Sequence, residues 1–356
     1  MDMGLQSLHG KTLVVGQGLA GSLLAMELHQ AGEDFDIVEA GLPYSASKVA
    51  AGIINPVTGK RLAASWKFSE FKPFAANRYP ELERQLGKEF YQETRVLRLI
   101  KGADEAARYE KRSGQEEFKP WLGQFYPPGS HRGALTDPHG SFEILGAATL
   151  DTEVFLPASR EWLQSHGHLL GETFRHNDLT THKRGIQWKG REYARAIFCE
   201  GYRIRENPWF QHCPMELAAG EIQTIQTNAP LPEGILNAGK WVRPTGTQQT
   251  YLAGATYSWD NLESQPSMDS LADMQAGLGK LLQEPYQVLE RQSGIRPVTK
   301  DRKPLLGQHP EFPALAIFNG LGSKGSLMAP LLARNLVQHL FMGEQLFPGT
   351  DARRFS

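Results

Sequence analysis

The stretch from residue 12 to residue 39 constrains this chain more than any other. Residues 12–15 (TLVV) are a short apolar, β-branched run, as expected of a strand covered on both faces. The run feeds Gly16-Gln-Gly18-Leu19-Ala20-Gly21, and residues 22–31 (SLLAMELHQA) then have the composition of a helix, closed by Gly32. Residues 35–38 (FDIV) make a second strand that ends at Glu39, eighteen positions past Gly21. Three glycines alone carry little information. Strand, glycine turn, helix, strand and acid in this order make a dinucleotide-binding βαβ unit. Gly16 permits the tight turn, Gly18 lets backbone approach a pyrophosphate, and Gly21 lets helix and strand pack closely. The helix start offers unpaired N–H groups and the positive end of its dipole to phosphates. Glu39 is placed to accept hydrogen bonds from ribose hydroxyls, with Ala40 beside it.

Composition narrows the class. At 356 residues and 40% apolar content, the chain has material for about two domains and a substantial core. Its formal charge of −1 provides no bulk attraction to nucleic acid or acidic lipid. Cys199 and Cys213 are the only cysteines, which excludes a disulfide scaffold and a cysteine-rich metal site. His166 and His168, two positions apart without nearby acids, read as a polar loop rather than a metal site. The first apolar run is broken by glycines and no later run is long enough for a membrane span, so a cytoplasmic protein is expected.

The far end repeats the logic of the beginning. Residues 314–318 read as a strand, Gly320, Gly322 and Gly325 as a permissive turn, and residues 326–341 are apolar at helical spacing. A second helix start is thus available to an electron-rich ligand. Two segments here, Gly294-Ile-Arg296-Pro297-Val-Thr299-Lys-Asp301-Arg-Lys-Pro304-Leu-Leu-Gly307 and Ala314-Leu-Ala-Ile-Phe-Asn-Gly320-Leu-Gly322-Ser323-Lys324-Gly325, resemble the D-amino-acid oxidase superfamily of FAD-dependent oxidoreductases. They are most similar to its glycine and sarcosine oxidase branch. They also resemble the FAD domain of the bifunctional enzymes that form 5-methylaminomethyl-2-thiouridine in tRNA. Residues 196–201, ending at Gly201, match the strand by which the family returns to its FAD domain. Residues 80–135 match nothing.

The resemblance implies an α/β fold: a Rossmann-type FAD-binding domain with an interleaved α+β substrate domain on a largely antiparallel sheet. Threading the cofactor pieces together assigns 1–75, 140–205 and 295–356 to the FAD-binding domain, and 76–139 and 206–294 to the substrate domain. A third flavin contact is expected from Ser45-Ala-Ser-Lys48-Val-Ala-Ala51-Gly52-Ile53-Ile-Asn55-Pro56, where small residues let backbone lie against a planar ring. This sequence departs from the family by continuing Val-Thr-Gly-Lys60-Arg61. The resemblance places the second helix at the flavin's pyrimidine side, where a positive end stabilises a reduced, anionic ring. The cofactor-binding set is therefore Gly16, Gly18, Leu19, Ala20, Gly21, Glu39, Ala40, Lys48, Ala51, Gly52, Ile53, Gly201, Arg296, Gly320, Gly322, Ser323, Lys324 and Gly325. In the sarcosine oxidase branch that this region resembles, covalent flavin attachment uses a cysteine near the Arg-Pro pair. Residues 290–305 contain none, so the resemblance implies non-covalent FAD unless a histidine serves.

For the substrate, the resemblance implies oxidation of the C–N bond of a small amine or amino acid by hydride transfer to the flavin, followed by imine hydrolysis. The cofactor supplies that chemistry, and the protein supplies orientation and field. Arg296 matches the arginine that grips the substrate carboxylate in glycine oxidase-like enzymes; the planar guanidinium suits a bidentate carboxylate. Lys324 falls where glycine oxidase carries a second arginine. Trp241 replaces an expected tyrosine and can donate one hydrogen bond but accept none. Arg243 and Tyr257 are weaker candidates for the same wall. The catalytic-site candidates are thus Arg296, Lys324, Trp241 and Tyr257. The bland alternative makes Arg296 a structural partner of Asp301 or of the C-terminal acid cluster. Two competing activities remain open: oxidation of a carboxymethylaminomethyl-type base in tRNA, against which the near-neutral charge weighs, and a flavin-binding, non-catalytic paralogue.

Overall fold

The computed structural model describes residues 10–39, 45–182, 185–259, 262 and 266–355. Its first sheet has six strands. Thr12–Val15 lies at the centre, with Phe35–Val38 and Leu169–Leu170 on one side. Arg195–Phe198, Leu315–Asn319 and Leu305–Gln308 lie on the other. All pairings are parallel except the last, where Leu305–Gln308 runs antiparallel to Leu315–Asn319. Four helices cover one face: Leu19–Gln30, Phe68–Leu86, Thr152–Ser165 and Gly325–Met342. A three-stranded meander over residues 179–193 covers the other. Burial on both faces explains why the central strands are mostly apolar rather than alternating, with Asp36 and Arg195 as buried exceptions.

The topology gathers the cofactor pieces. Residues 12–15, 35–38, 195–198 and 315–319 run in one direction, so their carboxyl ends share one edge. Gly16, Glu39, Gly201 and the turn at 320–325 therefore assemble there, the usual ligand site of a parallel sheet.

The second sheet has nine strands. Its spine is the long antiparallel pair Met215–Gln226 and Gln287–Thr299, continued by Thr250–Gly254, Trp241–Pro244, Ile235–Asn237, Tyr91–Leu99, Ser141–Leu150 and Ile53–Ile54, with Leu122–Tyr126 beside Ser141–Leu150. This sheet is largely antiparallel, as expected; the exception is Ile235–Asn237, which pairs parallel to Tyr91–Leu99. Their long connection supplies the crossover that a parallel pair requires. Ser141–Leu150, which the sequence grouped with the FAD-binding half, runs in this second sheet; the chain leaves it at Asp151, whose carboxylate caps the next helix. Phe68–Leu86 packs on Gly325–Met342, so residues 76–86 sit with the first sheet. Among the described residues no helix is long and apolar enough to cross a membrane.

Candidate active site

Gly16 has φ +103°, and a methyl group there would lie 2.6 Å from the carbonyl oxygen of Cys199. A methyl on Gly21 would run into the carbonyl oxygen of Gly16, so the helix can sit close to its strand only with glycine. The first helical amide, of Leu19, donates to Ser47 Oγ at 3.0 Å, which brings the 45–53 segment across the turn. Glu39 Oε2 accepts the Gln17 amide at 2.6 Å, and this bond fixes the carboxylate at the strand end.

Residues 287–299 run between the two glycine turns. Ile295 bridges Ser45 on one side, and Val298 bridges Leu321 on the other, with the Gly322 amide donating to Pro297 O at 3.0 Å. Arg296 is thereby held between the elements that line the cofactor edge. Its guanidinium lies against Gly220 of the neighbouring strand, where a methyl group would collide with it. Gly220 stands opposite Gly294, and Gly294 in turn lets the backbone of Ala46 approach. Arg296 Nη1 points at the Thr256 carbonyl at 3.4 Å, and its Cζ stands 4.3 Å from the centre of the Tyr257 ring. Burial lowers its pKa from the usual guanidinium range, and Tyr257 opposes that shift. Among the described residues no carboxylate pairs with it. Asp301, the partner in the structural alternative, instead binds Arg354 at 2.8 Å.

Lys324 precedes the helix Gly325–Met342. Its Nζ donates to Ser65 Oγ at 2.9 Å, and that hydroxyl donates to Asn55 O at 2.6 Å, so the third expected segment and the second glycine turn are tied together. Burial lowers its pKa below the ordinary lysine range.

One cavity of about 650 Å³ opens here, within the range of small-molecule and cofactor sites. Of the cofactor-site candidates, Gly16, Gly18, Leu19, Ala20, Glu39, Lys48, Ala51, Gly52, Ile53, Gly201, Gly322, Ser323 and Gly325 line it, together with Arg296, Lys324, Trp241 and Tyr257. Gly21 and Gly320 act from behind, at helix–strand and turn contacts. Ala40 lies outside the described residues. Arg243 is buried elsewhere, with Nη1 on Pro244 O. Lys60 lies in a neighbouring depression. His166 stacks on Trp162, His168 Nδ1 donates to Phe35 O at 2.9 Å, and the described residues contain no metal-binding cluster. Sequence reasoning missed the individual roles of Ser47 and Gly220. Ser47 sat within a segment recognised for its small residues, but nothing local to Gly220 announced a distant guanidinium.

The donor set fits FAD. Two helix starts, an acid at a strand end and glycines whose missing side chains admit backbone or ligand all face one cavity. Gly16, Gly18, Glu39 and Ser47 would hold the nucleotide side, and Lys324 with the 320–325 turn the opposite side.

The chain matches the DAO family, FAD dependent oxidoreductase, over residues 11–339. It is 25% identical over 352 residues to the tRNA 5-methylaminomethyl-2-thiouridine biosynthesis bifunctional protein MnmC of Caulobacter vibrioides, covering 92% of this chain and 54% of that protein. The chain thus spans about half the length of that relative. It is 23% identical to the oxidoreductase YurR of Bacillus subtilis, covering 94% and 95%. In fold it is similar to glycine oxidase from Geobacillus kaustophilus (TM-score 0.81, 19% identity, 98% of each chain). Iminodiacetate oxidase from Chelativorans sp. BNC1 is similar too (TM-score 0.79, 18% identity, 97% and 98%).

Proposed function

We propose, from the premise that this chain belongs to the DAO family of FAD-dependent oxidoreductases, that its substrate is a small amine bearing a carboxylate. One observation carries the reading: Arg296 presents a largely buried guanidinium to the cavity with no carboxylate among the described residues to neutralise it. A buried cation without an internal counter-charge is costly. An anionic substrate group removes that cost and gains a charge-assisted, bidentate contact. Bound FAD supplies the hydride acceptor. The protein's part is then positional. Arg296 fixes the carboxylate, Gly220 and Tyr257 fix Arg296, and the apolar indole of Trp241 closes the wall and keeps water from the substrate carbon. No side chain need act as a general base if the amine binds neutral.

Anaerobic mixing of the holoenzyme with a panel of amino acids, N-alkyl amino acids and their decarboxylated counterparts tests this. Loss of the visible flavin band with carboxylated members alone supports it. Reduction by the decarboxylated amines, at equal rates, rejects it.

A second reading has support of its own. The similarity to MnmC extends over most of this chain, and Tyr257 and Trp259 are both exposed aromatics, with rings 6.4 Å apart, Tyr257 at the cavity. Such rings can stack a nucleobase. On this reading the substrate is a carboxymethylaminomethyl-type base in tRNA, and Arg296 keeps the same task. A salt-dependent gel shift with unfractionated tRNA favours it, and a complete absence of binding at low salt removes it.

A further inference from the structure

The Val-Thr-Gly-Lys60-Arg61 continuation, which departs from the family pattern, forms a small hairpin in which Val57–Thr58 pairs with Ala63–Ala64. Thr58 and Gly59 line the main cavity, and Lys60 is the next residue out. The tip is pinned by two arginines: Arg98 donates to Gly59 O at 3.0 Å and Arg108 to Lys60 O at 2.9 Å. On the other side, the Lys101 ammonium group lies against Gly239, which also lines the cavity. Lys60, Lys101 and Arg108 share a depression of about 370 Å³ with Asp104 and Glu105. Glu105 is already paired with the buried Arg98, and the exposed Asp104 reaches only Arg108, at 4.0 Å. Among the described residues, no carboxylate lies within ion-pairing distance of Lys60 or Lys101. Burial lowers the Lys101 pKa; Glu105 opposes this, while Arg98, Lys60 and Lys280 reinforce it.

We propose that Lys60 and Lys101 form an anion subsite at the mouth of the cavity, which takes a phosphate or second carboxylate carried by the substrate away from its reacting amine. The inference rests on reading the cavity as an amine site, with Arg296 and this subsite holding opposite ends of one molecule. Phosphate is the fuller match, because two ammonium groups can share its several oxygens. The pinned hairpin tip fixes the backbone from which the exposed Lys60 side chain extends.

The test is calorimetric titration of the holoenzyme with inorganic pyrophosphate at low ionic strength, for wild type, Lys60→Glu/Lys101→Glu, Lys101→Arg and Arg296→Ala. Visible spectra confirm that every variant retains flavin. The double charge reversal should weaken pyrophosphate binding by roughly tenfold or more, the loss typical of charged hydrogen bonds. Lys101→Arg should stay within about threefold of wild type, since it keeps the subsite's charge, and Arg296→Ala separates any pyrophosphate held at the buried guanidinium from that held by the two lysines. Equal binding by wild type and the double variant, or none by wild type, overturns the proposal. A short single-stranded oligoribonucleotide separates the sources: much tighter and steeply salt-dependent binding identifies a nucleic-acid phosphate, and parity with pyrophosphate a small molecule. If no carboxylated amine reduces the flavin yet pyrophosphate binding follows these lysines, the subsite stands and the amine reading falls.

Discussion

Gly220→Ala should damage carboxylate binding without damaging the fold. A methyl group at residue 220 would stand 2.5 Å from Arg296 Cζ and closer still to both terminal nitrogens. Unstrained carbon contacts fall at about 3.5–4.0 Å, so the guanidinium must retreat by about 1–1.5 Å. A charge-assisted hydrogen bond of about 2.8 Å does not survive that displacement. Losing one such bond costs about 1.5–3 kcal/mol, a fall of about tenfold to 150-fold in kcat/KM for carboxylated amines. The obstacle is the far end of a flexible side chain, so the melting temperature should move little. Steady-state kinetics on a carboxylated amine, with the flavin spectrum as a folding control, measures the effect. A kcat/KM within twofold of wild type would refute the reasoning, because it would show that the guanidinium does not work from where it rests.

Tyr257→Leu should raise KM for carboxylated amines by about twofold to fivefold with kcat little changed, since a partly exposed cation–π contact contributes about 0.5–1 kcal/mol; an unaltered KM would show that the ring does not steady Arg296. Gly52 has φ +65°, and a methyl there would run into Leu150 O, so Gly52→Ala should destabilise by about 1–3 kcal/mol, seen as a lower denaturant midpoint and weaker flavin retention. Lys324 has a lowered pKa through burial. Below that pKa the native state bears the full cost of a buried cation, and the cost is relieved as pH rises from the lowered pKa towards the unfolded value. The stability of the apoprotein relative to Lys324→Met should therefore increase across that alkaline window, by denaturant titration at several pH values. A difference independent of pH would mean that Lys324 titrates normally.

The parts legible in the sequence were those whose physics is local. Residues 12–39 and 314–341 each place strand, glycine turn and helix consecutively, so period and glycine spacing suffice. Arg296 came from resemblance alone, because an arginine before a proline has no local signature of a ligand. Gly220 was invisible for a different reason: its necessity comes from a side chain 76 positions away, brought over only by the pairing of residues 215–226 with 287–299. The helix Phe68–Leu86 contains Pro73 and Pro80 and was not read as one helix. Its stability comes from packing on Gly325–Met342, a tertiary effect that outweighs the prolines. The segment 141–150 falls in the FAD-binding half when the cofactor pieces are threaded together, yet eight of its ten residues pair along Tyr91–Leu99.

The grip of Arg296 on a substrate carboxylate is tested most directly by the anaerobic rate of flavin reduction in Arg296→Ala, using an amino acid and its uncharged amide. Wild type should reduce much faster with the acid, and the variant, still yellow, should lose that preference by about two orders of magnitude as the charged contact disappears. An acid-to-amide ratio identical in the two proteins would contradict the account.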